Sequence, residues 1–293
     1  MRVERFSTNP IIRPDMDASV GSNVNGPSLI RVPDWLPSPL GRYYLYFAHH
    51  QGTYIRLAYA DRLAGPWRTY EPGTLDLADT PCARHVASPD VHVDDERREI
   101  RMYYHGDPAG RDDAAGRGQR SFVARSRDGI RFESNSQVLG NPYFRVFSHG
   151  GVWYALGMPA TFYRSTDGLA DFVPGPTLLS PNIRHSAVRV VGDRLEVYHS
   201  RYGDCPEHIL LSTVDLTGDW TNWRADEPIT ILQPETDYEG ADLPLEPSVR
   251  GWAPEPVRQL RDPAVYEEDG RTYLLYAVAG EHGLAIAEMT EDS

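Results

Sequence analysis

The chain has 293 residues, 40% of them hydrophobic and 11% aromatic, enough apolar side chain to bury a sizeable core. Its net charge of -13 and the lack of any dense Lys/Arg run argue against a nucleic-acid partner, which would require a basic footprint on the phosphates. No apolar run approaches the ~20 residues that span a bilayer, and the opening MRVERFSTNPII carries charges where a signal peptide is apolar. The expectation is a cytoplasmic protein with no membrane partner, in which Cys82 and Cys205 are reduced thiols without metal-ligand spacing.

Residues 2–12 read as a lone strand, after which one unit recurs five times. Each unit opens with a strand at a proline or small residue: Gly26-Pro27-Ser28, Ser88-Pro89-Asp90, Asn141-Pro142-Tyr143, His185-Ser186-Ala187 and Asp262-Pro263-Ala264. Aromatic-rich return strands follow at 42–50, 99–106, 152–159, 195–203 and 272–281. In four units a third strand then ends in Asp with Gly and an aromatic nearby, at Asp61 to Trp67, Asp128 to Phe132, Asp167 to Phe172 and Asp215 to Trp220. The β-branched and aromatic content favours strands, and no segment shows a capped 3.6-residue periodicity over a helix length.

A four-stranded meander cannot bury both of its faces alone, so such units stack around an axis. The fifth unit stops near Met289 one strand short, and the strand at 2–12 supplies what is missing. The predicted fold is therefore all-β, a single five-bladed β-propeller domain over 1–293 with four-stranded blades. The ring closes by pairing of the N-terminal strand in the last blade. Blades are expected near 25–80, 81–140, 141–180, 181–257, and 258–289 plus the N-terminal strand.

In such a meander the starts of the first strands and the ends of the second strands share one face. The repeated aspartates fall on the opposite face, where Asp closes turns on its own backbone. The first face collects Asn25, Asp90, Tyr143, Arg145, His185 and Asp262 from first strands, and His49, His50, His105, Arg201 and Glu281 from second strands. Carboxylates near the axis are costly to desolvate unless paired, so Asp90 and Asp262 are site candidates. A long acidic loop before the fifth unit adds Glu239, in YEGAD.

SPDVHVD opening the second unit and RDP opening the fifth resemble the five-bladed glycoside hydrolase propellers of families 43, 32, 68, 62 and 117. The resemblance implies an axial funnel for a sugar ring and hydrolysis of a glycosidic bond in a plant or algal oligosaccharide by carboxylate acid/base catalysis. It further implies that Asp90 tunes the acid and that Asp262 of RDP grips the sugar. The first and third units, Asn25-Gly26-Pro27 and Asn141-Pro142-Tyr143, lack the carboxylates those families place there. Glycoside hydrolysis needs one protonated and one ionised group. The assignment is Asp262 as base, Asp90 as modulator and Glu239 as acid, with Glu281 in reserve.

The expected sugar contacts are Asn25, His49, His50, His105, Tyr143, Arg145, His185, Arg201 and Glu281, with the two arginines suited to an anionic substituent. A histidine can also serve as the proton donor. No cofactor is required. An axial calcium near His185 is implied by the family resemblance, although calcium prefers oxygen ligands to imidazole. The rival functions are a non-catalytic sugar-binding propeller and a transferase or phosphorylase on the same scaffold.

Overall fold

The computed structural model describes residues 1–109 and 118–291. Strand β1 (Arg2–Arg5) comes first. Blade 1 follows with β2 (Asn25–Arg31), β3 (Tyr43–Ala48), β4 (Arg56–Ala60) and β5 (Arg68–Tyr70). Blade 2 contains β6 (Cys82–Asp94), β7 (Glu99–Pro108), β8 (Arg120–Ser126) and β9 (Glu133–Ser134). Blade 3 contains β10 (Arg145–His149), β11 (Val152–Gly157), β12 (Thr161–Ser165) and β13 (Val173–Thr177). Blade 4 contains β14 (Ile183–Val191), β15 (Arg194–Arg201), β16 (Ile209–Asp215) and β17 (Ile229–Leu232). Blade 5 has β18 (Arg261–Glu268), β19 (Arg271–Ala277) and β20 (Leu284–Thr290) from its own unit. Its fourth strand is β1, antiparallel to β20 with Arg2 opposite Thr290 and Arg5 opposite Ala287. The five-bladed propeller and its closure are as expected from the repeats.

Alternation along each strand explains the nearly continuous apolar runs. In β3, Tyr44 and Tyr46 pack into a core with Ile100, Met102 and Phe122 of blade 2. The intervening Tyr43, Leu45 and Phe47 pack into a second core with Tyr266, Leu275 and Ile286 of blade 5. Similar apolar clusters lie between the other neighbouring blades. A strand covered on both faces has no need of polar alternation.

Four of the inner strands carry a bulge at the same place, between Asn25 and Ser28, Ala87 and Asp90, Ile183 and Ser186, and Arg261 and Ala264. At three of these bulges Gly26, Ser88 and Asp262 have φ of 56°, 49° and 49°. A proline follows each of the three, which a bulge tolerates because its N–H is not needed in the ladder. In blade 3 the corresponding Tyr143 has φ of 65°, and the strand begins only at Arg145 rather than at the expected Asn141. Two residues beyond the positive-φ position the inner strands are stitched together. The Val91 N–H donates to Ser28 Oγ at 2.9 Å and the Val146 N–H donates to Asp90 Oδ2 at 2.8 Å.

Three of the four repeated aspartates close turns: Asp128 Oδ1 accepts from the N–H groups of Ile130 and Arg131, Asp167 Oδ1 from those of Leu169 and Ala170, and Asp215 Oδ1 from that of Thr217.

The closing strand is fastened by a buried charge. Arg5 of β1 donates to Glu239 through Nε at 2.8 Å and Nη2 at 3.1 Å, and Tyr276 of β19 donates to Glu239 Oε1 at 2.9 Å. The same carboxylate accepts the Glu235 and Thr236 N–H groups, capping the 3-10 turn Asp237–Glu239. Replacing Arg5 by Met leaves a buried carboxylate uncompensated, and urea unfolding is expected to show a loss of about 3 kcal/mol. Adding Glu239→Gln to that variant should restore part of the loss.

Candidate functional site

The bulges aim the ends of the inner strands at the axis, where a cavity of about 170 Å³ opens on the expected face. His50 and Glu281, which follow β3 and β19, face Tyr143 and Met158 of blade 3, and Arg184, His185 and Tyr202 of blade 4. Gln119 and the loop residues Arg250 and Gly251 complete the wall. A larger groove of about 530 Å³ lies beside Ile11, Met16 and Trp67, but no carboxylate or imidazole lines it. Of the two, the smaller cavity brings a carboxylate and imidazoles together.

Behind the wall the charges form a chain. Arg184 binds Glu207 through Nε at 2.8 Å and Nη2 at 3.2 Å, and Ser200 Oγ donates to the same carboxylate at 2.7 Å. Arg261 approaches Glu207 at 3.4 Å and pairs with Glu281 at 3.0 Å. Glu281 Oε2 also accepts from Asn23 at 2.6 Å and Asn25 at 3.1 Å, and lies 3.7 Å from His50 Nδ1. Burial alone would raise the Glu281 pKa. His50, Arg261 and Asn23 outweigh it and hold the carboxyl far below the usual glutamate range. Glu281 is therefore ionised at any physiological pH.

Beside this chain, Asp262 is wholly buried and its Oδ1 is paired with His185 Nδ1. The two atoms meet outside regular hydrogen-bond geometry and have no other partner. The second oxygen of Asp262 accepts the Gly26 N–H at 3.3 Å. The Tyr143 ring is held between His105 and His185, with centroids 4.0 and 4.2 Å away. Burial, then the Asp262 and Glu281 charges, push the Tyr143 phenol up, so the phenol of this lining residue stays protonated.

Of the expected residues, His50, Tyr143, His185 and Glu281 line the cavity. Asp262 stands behind His185, Asn25 behind Glu281, and His105 behind Tyr143. Five others do not line it. Asp90 is two residues past the bulge, where it accepts the Val146 N–H and pairs with His92 at 2.9 Å. It occupies the stitching place held in blade 1 by Ser28. Burial opposes ionisation of Asp90, but His92, Arg145 and the Val146 N–H bring its pKa down. Glu239 has both oxygens committed to the closing strand and its turn.

Arg145 is buried and donates to the Ser186, Ser88 and Pro89 carbonyls, tying blade 3 to both neighbours. Arg201 pairs with Asp204 at 3.1 Å within its own turn. His49 turns the other way from His50, toward Gly21 and Gly52, and accepts the Gln51 N–H.

Arg184, Glu207, Asn23 and Arg250 were not singled out from the sequence. Arg184 carries a signal in hindsight, since it occupies the bulge position held by Gly26, Ser88 and Asp262 in other blades. Glu207 has no repeat counterpart, and only the ion chain reveals it. The residues present do not suit a calcium ion at His185: calcium takes about six to eight oxygen ligands, and the neighbouring carboxylate of Asp262 is turned to the imidazole and the Gly26 N–H. Among the described residues no group of three or more His, Cys, Asp or Glu side chains is placed to hold a metal.

Fold and site together define a five-bladed β-propeller with an ion-paired axial cavity, a fold that the chain shares with glycoside hydrolases among the solved structures. Similar solved structures include a glycosyl hydrolase from Bacteroides ovatus, at TM-score 0.71 and 12% identity over 98% of this chain and 93% of that one. Another is the Cellvibrio cellulosa α-L-arabinanase complexed with arabinohexaose, at TM-score 0.62 and 13% identity over 92% of this chain and 93% of that one. A third is a family 43 β-xylosidase/α-arabinofuranosidase from a compost metagenome, solved with xylotriose in a calcium-free form, at TM-score 0.62 and 14% identity over 100% of this chain and 96% of that one.

No protein-family model matches the chain. In sequence it is 37% identical to the uncharacterized protein R118 of Acanthamoeba polyphaga mimivirus, over 98% of this chain and 90% of that protein. This chain belongs to the family of that protein.

Buried imidazoles make the fold sensitive to acid. Burial, then neighbouring positive groups, depress His105 well below its ordinary 6.5 and bring His199 down to about 4. A histidine depressed in the folded state contributes stability that is full above the unfolded pKa and lost as pH falls. Unfolding free energy should therefore begin to drop below pH about 6.5, approaching about 1.4 kcal/mol per pH unit for each ring. Chemical unfolding at pH 7, 6 and 5 checks this, and His199→Gln should lessen the slope.

Proposed function

We propose that the chain is a glycoside hydrolase that takes the terminal sugar of an oligosaccharide into the axial cavity. The observation that carries this reading is the meeting, in one small cavity, of the Asp262-backed His185 with the ionised Glu281. At about 170 Å³ the space suits a single sugar ring rather than a drug-sized ligand. Structural neighbours crystallised with arabinohexaose and xylotriose lend support to an oligosaccharide substrate.

Cleavage requires a proton on the leaving oxygen and stabilisation of positive charge at the anomeric carbon. Glu281 is too acidic to be the donor and instead faces the developing charge as a carboxylate. With Nδ1 of His185 turned to Asp262, Nε2 is left to take a proton from the attacking water, and Asp262 stabilises the imidazolium that results. His50, on the cavity wall beside Glu281, gives its proton to the leaving oxygen. Water thus supplies hydroxide to carbon and a proton to His185, while the alcohol departs with the proton from His50. Asp262 remains on the base side, at one remove from the water, and the acid is an imidazole in place of Glu239.

One observation favours a non-catalytic sugar-binding propeller: Glu207, Glu281 and Asp262 each already have a basic partner. A phosphorylase is less well supported, because Arg184 spends its donors on Glu207 and on the Val249 and Gly251 carbonyls.

Aryl glycosides and short oligosaccharides, assayed with and without phosphate, separate the three. The expected result is sugar release independent of phosphate. Asp262→Asn and Glu281→Gln should each lower kcat by at least ~10²-fold, with unfolding midpoints measured alongside to exclude loss of the fold. Binding without release in the unmodified protein would leave the binding propeller as the answer.

A further inference from the structure

The strap of residues 248–252 passes over the cavity mouth and is pinned from below. Arg184 donates to the carbonyls on both sides of Arg250, to Val249 at 2.7 Å through Nη2 and to Gly251 at 2.9 Å through Nη1. Arg261 adds a second donor to Gly251 at 3.2 Å. Ser248, at the start of the strap, exchanges backbone hydrogen bonds with the turn after β15, through the Gly203 N–H and the Asp204 carbonyl. Gly251 has φ of 101°, a conformation that a side chain would strain. An exposed loop is thus fixed on either side of one residue by two buried guanidiniums that Glu207 and Glu281 hold in place.

That residue is a cation with its donors free. Arg250 lines the cavity, and its positive charge reaches the Tyr143 phenol inside. Its side chain makes no hydrogen bond or ion pair among the described residues, in contrast to Arg184 and Arg261. Two residues on, Trp252 is 38% exposed and lies against the His50 ring at 6.2 Å between centroids, 26° from parallel. An aromatic face and an unpaired guanidinium therefore sit at the same mouth.

We propose that Arg250 is a specificity-determining residue that selects a sugar bearing a carboxylate, a uronic acid unit. This rests on the cavity being the sugar site. A planar guanidinium matches a carboxylate with two parallel hydrogen bonds. A phosphate dianion would bring a second negative charge close to the ionised Glu281, and among the described residues lining the cavity the other guanidinium, Arg184, is already committed to Glu207 and two carbonyls. Neither Arg145 nor Arg201 lines the cavity: the first is buried with Nε and Nη1 on carbonyls, and the second pairs with Asp204.

The test is calorimetric titration of the full chain with glucuronate, galacturonate, glucose, xylose and glucose 6-phosphate. A uronate is expected to bind roughly tenfold tighter than its neutral counterpart, the scale of a charge-assisted pair. Arg250→Ala should bring the ratio of the two affinities close to one, and Arg250→Lys should keep part of it, with thermal midpoints confirming that the fold is intact. Equal affinity for uronate and neutral sugar in the unmodified protein would overturn the proposal while leaving the sugar site standing, as would an Arg250→Ala variant with the ratio unchanged. Preference for the phosphate ester would replace carboxylate by phosphate recognition and overturn it too. If none of these sugars binds, the sugar site itself fails and this proposal fails with it.

Discussion

A ring of sheets avoids an exposed edge and an exposed apolar face only if the last sheet is completed and docked against the first, and here that burden falls on a four-residue strand. β1 supplies the outer strand of blade 5 while belonging to the other end of the chain. So short a strand offers few ladder hydrogen bonds, and the buried Glu239 adds a charged anchor for Arg5 from a loop remote in sequence. Once the ring is closed, each blade has a neighbour on both faces, and strands such as β3 can be apolar throughout. The inner strands then converge, and the bulges at their starts set which residues reach the axis.

The axis concentrates charge that would be costly if unpaired. Glu207, Glu281 and Asp262 are almost completely buried, as are Arg184 and Arg261; Arg184, Glu207, Arg261 and Glu281 satisfy one another in a chain that ends at His50, and Asp262 pairs separately with His185. Removing one member of such a network strands its partner in a region of low dielectric. The same pairing that makes these ions tolerable holds Glu281 as a carboxylate and fixes the strap over the cavity. Stability and the chemistry of the site therefore draw on the same residues.

Several sequence expectations met the structure for one reason and failed for another. Asp262, His185, Tyr143, His50 and Glu281 were found because strand starts and strand ends share a face, a consequence of the meander alone. Asp90 shared that logic and still went elsewhere: the bulge puts Ser88 at the axial place and leaves Asp90 two residues on, at the stitching position of Ser28. Glu239 was read from a local motif in a loop, and a loop 37 residues from its Tyr276 partner gives no indication of where it folds back. Arg145 and Arg201 were chosen for their charge, and their carbonyl and Asp204 partners become visible only in three dimensions.

The amino-acid order by itself determined the repeat, the number of blades, the closing strand and the face on which the axial cavity opens, because each follows from periodicity, turn chemistry and the need to cover apolar surface. Tertiary structure alone decided which of the polar residues on that face meet. Glu207, Arg184, Arg261 and Glu281 come from the ends of different strands and loops in blades 4 and 5, and His50 joins them from blade 1. Local sequence encodes conformation over a few residues. The pairing of buried charges depends on distances across the axis, which exist only after the ring has closed.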